Sequence, residues 1–468
     1  MGKVQISRRT VLAGAAAAVV AFDPVNLGWL TSADAEPGVR IPALDGELLV
    51  DEASRAAVAD DYGHLVHRMP VAVLRPGSVR DIQKVVRFAN RHGLKVAVRG
   101  QGHSTYGQGQ TTGVVIDSST LGTIHRIGYG QAVVDAGVRW LELIRAAVQA
   151  GQTPPVATDY LGLSVGGTLS VGGIGGATSR HGLLVDNVLS LEVVTGEGEV
   201  VHCSPSVCPD LFHAVLGGLG QFAVITRATV RLIPAPTTAR VYHLTYPDLP
   251  SYLTAQRRAV GDQRFSYLEG QSTPTGLLLE GVTYYTPPAA PSDPALVSDL
   301  AAASVEISEM PYFDWLNRVY DLVQQLLPLR LPGPWINVFI PDEAVEGYAS
   351  AVLPTTAPND VVLLYPVRRD LIGEPFVRLP NSPVVWLLAV LRAVSPPDAA
   401  EIRRLTALNR TQYDQAVAAG GTHYPVGAIP LTRADWRAHY GRRWAAFRSA
   451  KRRYDPRNVL APGQGIFG

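Results

Sequence analysis

Apolar positions in the first half of the chain switch repeatedly between helical and strand spacing. Ile82, Val85, Val86 and Phe88-Ala89 recur at helical intervals, so the spacing predicts a helix over 81–92, stopped by His92-Gly93. Residues 94–98, 114–117 and 131–137 are short apolar runs that predict strands, and 140–150 predicts an amphipathic helix halted by Gly151. Residues 188–195, 199–203 and 222–232 predict three more strands, with Gly196-Glu197-Gly198 as the turn between the first two. Pro234-Ala235-Pro236 closes this region. Beyond it, 241–246 and 276–285 alternate like strands, 287–294 is a Pro/Ala loop, and 361–366 and 384–392 predict strands, the latter buried by its apolar run. Residues 397–419 predict a helix. Such a mixture implies an α+β or α/β protein with mixed sheets.

Composition narrows the function classes. The 468 residues suffice for two domains sharing an interface. Lys plus Arg number 41 against 40 Asp plus Glu, a balance that argues against nucleic acid as a partner, since that would need a basic face. Cys203 and Cys208 cannot build a disulfide framework; free thiols are expected, with one local bridge as the alternative. At the N-terminus, Ser7-Arg8-Arg9-Thr10-Val11-Leu12 places twin arginines before an uncharged Ala/Val-rich run, and Ala33-Asp34-Ala35 offers a small-residue cleavage site. The run is too short for a stable membrane span, which takes about 20 apolar residues. Residues 1–35 therefore read as a twin-arginine signal peptide, with the export machinery as a partner of the precursor and an extracellular or periplasmic destination.

The most informative motif is Gly100-Gln101-Gly102-His103-Ser104, which follows Val96-Ala97-Val98 and leads into Gly107-Gln108-Gly109-Gln110. Glycines let a backbone approach a ligand closely, although alone the pattern also fits a surface turn. A second glycine run is Ser164-Val165-Gly166-Gly167-Thr168, continuing to Ser170 and Gly173-Ile174. Asp159 forms a polar break between apolar neighbours, a place for a general base or a turn-capping carboxylate. Glu280 ends the apolar run Leu277-Leu278-Leu279 and calls for a partner unless it faces water. No nicotinamide fingerprint Gly-x-Gly-x-x-Gly and no Gly-Lys-Ser/Thr phosphate loop is present.

Taken in order, these motifs, together with Thr158-Asp159-Tyr160-Leu161, Phe212 through Phe222, Pro334-Trp335-Ile336-Asn337 and Ala461-Pro462-Gly463-Gln464, make the chain resemble the covalent flavoproteins of the vanillyl-alcohol oxidase/p-cresol methylhydroxylase type, and within them the cytokinin dehydrogenases. The resemblance runs from about Val71 to Phe467. It implies an α+β fold: a PCMH-type FAD-binding domain over 38–236, an antiparallel-sheet substrate cap over 237–420, and a C-terminal return over 421–468. It implies FAD attached covalently through His103, and a single bond, because residues 157–163 lack the cysteine of doubly linked relatives. The cofactor-binding set carried over is Gly100, Gly102, His103, Ser104, Gln108, Asp159, Ser164, Ser170, Gly173, Ile174, Ile225, Tyr424 and Gln464.

The same resemblance assigns the catalytic roles. Asp159 would accept the substrate N–H proton, and Glu280 would line the substrate channel. The expected reaction is oxidation of the secondary amine side chain of an N6-substituted adenine, with a quinone or oxygen as electron acceptor and no metal. A sister activity on an alcohol, a sugar or a secondary metabolite is the alternative, and a flavin-retaining binding protein without turnover a third. Two departures bear on substrate: Arg368-Arg369-Asp370-Leu371-Ile372-Gly373 stands where the family usually has a Trp, and Pro425-Val426 follows Tyr424 in place of Leu-Pro; at the flavin site, Ala461 replaces a common Ser, so its side-chain bond is absent. Loss of the Trp removes a large apolar wall from the pocket.

Overall fold

The computed structural model describes residues 19–23, 28–31, 39–273 and 276–467. The three largest of five sheets organise them. The first has the order Glu47–Leu49, Ala72–Arg75, Val114–Asp117, Val96–Arg99; its outer pair is antiparallel and the other two pairings are parallel. The helix Val79–His92 makes the parallel crossover, burying Ile82, Val85, Val86 and Ala89 and ending at Gly93 with φ +70°. The second sheet is antiparallel, in the order Val200–Cys203, Val188–Thr195, Ala223–Arg231, Gln131–Asp135, Ile124–Gly128. The helix Trp140–Gln149 buries Trp140, Leu143 and Ile144 in the same core as this sheet.

The third sheet is antiparallel with eight strands: Ser304–Pro311, Thr238–Tyr246, Gly276–Tyr285, Tyr267–Thr273, Val361–Arg368, Val384–Leu391, Ile336–Pro341 and Thr422–His423. One face carries Tyr242, Leu244, Leu268, Leu279, Val338 and Leu388 into a core shared with the helices Leu249–Asp262, Val345–Val352 and Ala399–Ala418. The opposite face carries Val241, Tyr267, Val282, Phe339, Tyr365 and Leu387 into the core of the five-stranded sheet. That sheet and its helices thus meet the large antiparallel sheet through one continuous apolar layer, and the site lies in the seam.

The C-terminal segment is drawn back to the first sheet. Val96 donates its N–H to Val459 at 2.8 Å, and Ala461 donates to the Val96 carbonyl at 2.9 Å. Asp455, fully buried, holds this return: its carboxylate accepts the N–H groups of Val459 and Leu460, both at 2.8 Å, and pairs with buried Lys451 at 2.6 Å. Lys451 also donates to the Gln221 carbonyl at 2.9 Å, tying the helix Trp444–Tyr454 to the turn before Ala223.

Strands predicted at 114–117, 188–195 and 276–285 occupy those positions. Glu280 is not at a strand end: Gly276–Tyr285 continues for five residues beyond it, because Gly281 leaves room for the Phe265 ring, 2.7 Å from where a Cβ would sit. Cys203 is a buried thiol and Cys208 an exposed one. The twin arginines and Ala33-Asp34-Ala35 lie outside the described residues. Within the stretch read as a leader, Val19–Asp23 pairs with Gly28–Thr31, and Phe22 packs edge-on against Phe88 at 5.6 Å. No helix among the described residues is long and apolar enough to cross a membrane.

The buried Lys451–Asp455 latch generates a stability prediction. Asp455→Ala strands a buried ammonium and two backbone N–H groups, so chemical denaturation should show a loss of about 3–5 kcal/mol. A change below about 1 kcal/mol would mean that the tail is held elsewhere.

Candidate active site

The loop after Val96–Arg99 holds the glycine motif, and steric limits explain its composition. A Cβ on Gly100 would lie 2.0 Å from Ser164 Oγ, which brings the two predicted glycine segments into contact. Gly102 has φ +65°, and a Cβ there would meet the Arg99 guanidinium at 2.3 Å. Asp61, buried, ties the loop down by accepting from Ser104 Oγ at 3.0 Å and Gly107 N at 2.7 Å; burial pushes its carboxyl up to about 6. Gln108 accepts from Tyr106 N through its amide oxygen and donates to the Gly427 carbonyl at 3.0 Å. Thr105 Oγ1 donates to the Val426 carbonyl at 2.7 Å, so Pro425-Val426 and the following glycine fasten the C-terminal region onto the loop.

His103 projects among aromatic rings. Its centroid is 4.1 Å from Tyr62, 4.8 Å from Tyr160 and 5.7 Å from Trp335. This apolar setting lowers its pKa to about 4 by desolvation, so the imidazole is neutral at physiological pH.

The second glycine segment forms the short helix Val165–Val171, with Ser164 at its start and a Ser170 Oγ–H donated to the Gly166 carbonyl at 2.8 Å. Gly173, at φ +75°, donates its N–H to the Tyr424 hydroxyl at 3.2 Å, so these two predicted residues meet across 251 positions of sequence. Ile174 is partly buried against the core, while Ile225 is buried in the five-stranded sheet opposite Val193. Gln464 sits in the turn Pro462–Gln464 and accepts from Trp436 Nε1 through its carbonyl at 3.1 Å. Gly463 lies against the first loop, where a Cβ would be 2.3 Å from the Gly107 carbonyl oxygen.

Asp159 lies one residue from Tyr160, on a segment without regular structure. Its carboxylate accepts from the Tyr267 hydroxyl at 2.7 Å and from the Tyr365 hydroxyl. Arg318, on the helix Tyr312–Leu326, lies 3.6 Å from it and 3.2 Å from Glu280, so the two predicted catalytic carboxylates share one cation. Glu280 also bonds His243 Nε2 at 2.9 Å, and this bond raises the histidine's pKa. The Arg318 guanidinium stacks 3.8 Å from the Trp315 ring centre. Asp159, Thr158, Tyr267, Tyr284, Tyr312 and Arg318 line a narrow cavity.

Sequence reasoning passed over Glu269, which completes this cluster. It is buried and accepts from Gln271 Nε2 at 2.8 Å, and it contacts the Tyr365 hydroxyl at 2.6 Å and the Tyr267 hydroxyl. The available signal was the alternation Tyr267, Glu269, Gln271, three polar-capable residues on one face of a strand.

A flavin dinucleotide needs what these residues offer: close backbone approach at Gly100, Gly102 and Gly173, and a neutral histidine set in an aromatic pocket. Residues 70–204 match the family model described as FAD binding domain, and residues 300–467 match that described as cytokinin dehydrogenase 1, FAD and cytokinin binding. The chain is therefore an FAD-dependent oxidoreductase acting on CH–NH donors. The chain is 41% identical to an uncharacterized oxidoreductase of the fasciation locus of Rhodococcoides fascians, over 88% of this chain and 97% of that one. It is 34% identical to cytokinin dehydrogenase 10 of Oryza sativa subsp. japonica, over 95% and 92%, and 32% identical to cytokinin dehydrogenase 4 of Arabidopsis thaliana, over 91% and 93%. The chain belongs to the cytokinin dehydrogenase family.

The contact between tail and loop can be tested by adding one methyl group. Gly463→Ala forces a Cβ onto three carbonyl oxygens, so the protein should purify with less flavin and lose roughly 1–3 kcal/mol of stability. Gly347→Ala, on a helix where nothing lies within 4 Å, should leave flavin content and stability unchanged or slightly improved. Equal flavin loading in both variants would show that the tail does not shape the cofactor site.

Proposed function

We propose that this protein oxidises the secondary amine side chain of N6-substituted adenines, with Asp159 as the general base. The observation that carries the reading is the double hydroxyl clamp on the Asp159 carboxylate, facing the cavity and adjoining Tyr160, whose tilted ring lies 4.8 Å from His103. Bound FAD supplies the acceptor for the hydride leaving the substrate carbon. Asp159 takes the amine proton, and the two tyrosines fix the carboxylate so that its lone pair stays aimed. Glu280, paired with Arg318 and His243, is our proposed partner for the purine-like ring. The resulting imine hydrolyses to adenine and an aldehyde, and a quinone-like compound or oxygen takes up the electrons.

His103 is the proposed point of covalent attachment, to the 8α carbon of the flavin. Its neutrality keeps a ring nitrogen free to form the bond. A single tether retains the cofactor after export, which we assign to Arg8-Arg9 and the apolar run behind them. Where the family usually has a pocket Trp, Arg368 pairs with Asp370 and Ile372 is buried, and a different or broader substrate range is the reading that follows from the missing ring.

Asp159→Asn preserves shape but removes the base. Anaerobic flavin bleaching by an N6-substituted adenine should slow by roughly 10²–10⁴ with flavin content unchanged, whereas near-normal bleaching would refute the proton-accepting role. Bleaching by alcohols but not by amines would reassign the substrate class. His103→Ala should release its flavin on denaturation, and flavin that stays with the chain would place the tether elsewhere. Lysine at both position 8 and position 9 should trap precursor in the cytoplasm, and normal export would remove the leader assignment.

A further inference from the structure

Among the described residues, no group hydrogen-bonds the imidazole of His103, whose surroundings act on it through desolvation alone. A reacting histidine is ordinarily oriented by a partner on its second nitrogen. Here the ring is set only by neighbouring rings and by the backbone that carries it, and Gly102 just before it has φ +65°. That backbone is held from outside the loop by Asp61-Tyr62-Gly63. The Tyr62 N–H donates to the Gly102 carbonyl at 2.8 Å and the Gly63 N–H to the Ser104 carbonyl at 3.2 Å, one on each side of His103. The Tyr62 ring lies 4.1 Å from the imidazole. A Cβ on Gly63 would stand 2.1 Å from the Thr105 carbonyl oxygen, so a glycine lets the two segments press together.

Asp61 is the centre of this brace. Its buried carboxyl accepts the Ser104 hydroxyl at 3.0 Å and the Gly107 N–H at 2.7 Å on Oδ2, and the Gly63 N–H at 3.2 Å on Oδ1. Three donors converging on one carboxyl call for its ionised form, which only accepts. Burial opposes that charge, and so does Asp60, whereas Arg99 supports it. Asp60 is itself held by His64 and Arg330, each at 2.6 Å. Arg99 donates to the Asp60 carbonyl and interacts with Asp61, Asp117 and Asp60, and Arg68 donates to the Gly107 carbonyl at 3.1 Å. The loop contributes only uncharged groups, His103 and Tyr106.

We propose that Asp61 is the positioning residue for the flavin tether: its carboxylate fixes the backbone on both sides of His103 and so aims an imidazole that nothing else orients. The inference deepens the reading of His103 as the attachment point and rests on it. Attachment exchanges the His103 N–H and one 8α C–H of the flavin for a C–N bond. The two protons and two electrons released pass to oxygen, giving hydrogen peroxide. Asp61 touches none of the reacting atoms and acts through Ser104, Gly107 and Gly63. Burial pushes its carboxyl up to about 6, so the carboxyl is charged above that pH and loses its charge below it. Protonation weakens its hold on the loop while His103, whose pKa is about 4, is still neutral. The window between these two values separates the brace from the ring it aims.

Attachment can be timed in the full chain. Protein produced in a riboflavin-starved host is mixed with FAD in aerated buffer, and flavin that resists denaturation is measured over time. The wild-type rate should fall as the pH is lowered through about 6. Asp61→Asn should attach about tenfold more slowly at neutral pH and show no such fall. Its FAD affinity, read by fluorescence quenching, and its melting temperature should stay close to wild type. Ser104→Ala, which removes one donor, should be slowed less and keep the fall. A wild-type attachment rate in Asp61→Asn, or a fall that persists in it, would overturn the proposal. So would FAD affinity, melting temperature and attachment all declining together, the mark of a merely structural residue. If Asp61→Asn does not fold, an unslowed Ser104→Ala or a wild-type profile flat through pH 6 would overturn it equally. Denaturation-resistant flavin in His103→Ala would instead remove the tether reading. A tether lost in His103→Ala but formed at the wild-type rate in Asp61→Asn would remove the Asp61 inference alone.

Discussion

The clamp that two tyrosine hydroxyls place on Asp159 is the interaction on which the rest of the site depends. Asp159 lies on an irregular segment, and nothing in its local backbone fixes its side chain. The strands Tyr267–Thr273 and Val361–Arg368 deliver the hydroxyls from below, one from each, so the position of the carboxylate is set by a rigid sheet. The same contact joins the two halves of the molecule chemically where they already meet through an apolar layer. The proposed base, held this way, needs little reorganisation when charge moves, which is the main advantage an enzyme gains over water.

The clamp is costly. It gathers Asp159, Glu269 and Glu280 around a single guanidinium, and burial, with the charges of Asp159 and Glu280, raises the Glu269 carboxyl. The structure distributes the burden unevenly. Glu280 takes Arg318 and His243, Asp159 takes Arg318 and two hydroxyls, and Glu269 is left with neutral partners. His103 shows the opposite adjustment at the other end of the site. Aromatic rings strip it of solvent and keep its nitrogen uncharged.

Much of this was legible in the chain. The glycine motif located the loop at Gly100–Gln110, and at Gly100 a side chain would run into Ser164. Helical periodicity located Val79–His92 because one face is fully apolar. The large sheet was read less completely. Tyr267–Thr273 was passed over because Tyr267, Glu269 and Gln271 turn polar atoms inward, reversing the usual relation between polarity and exposure. Ser304–Pro311 was passed over; it is a nearly fully exposed edge strand whose Val305 and Ile307 face solvent. Arg318 sits on a helix whose charged face looks solvated in sequence, and only tertiary packing turns it toward Asp159 and Glu280.

The most direct test of the account is to remove the clamp and leave everything else in place. Anaerobic stopped-flow measurement of flavin reduction by an N6-substituted adenine in the Tyr267→Phe, Tyr365→Phe double variant does this, because phenylalanine fills the same space without the hydroxyls. Losing two hydrogen bonds to a charged base predicts a rate lower by roughly 10²–10⁴ with flavin content and melting temperature close to wild type. A double variant that reduces its flavin at the wild-type rate would contradict the claim that these hydroxyls hold the base.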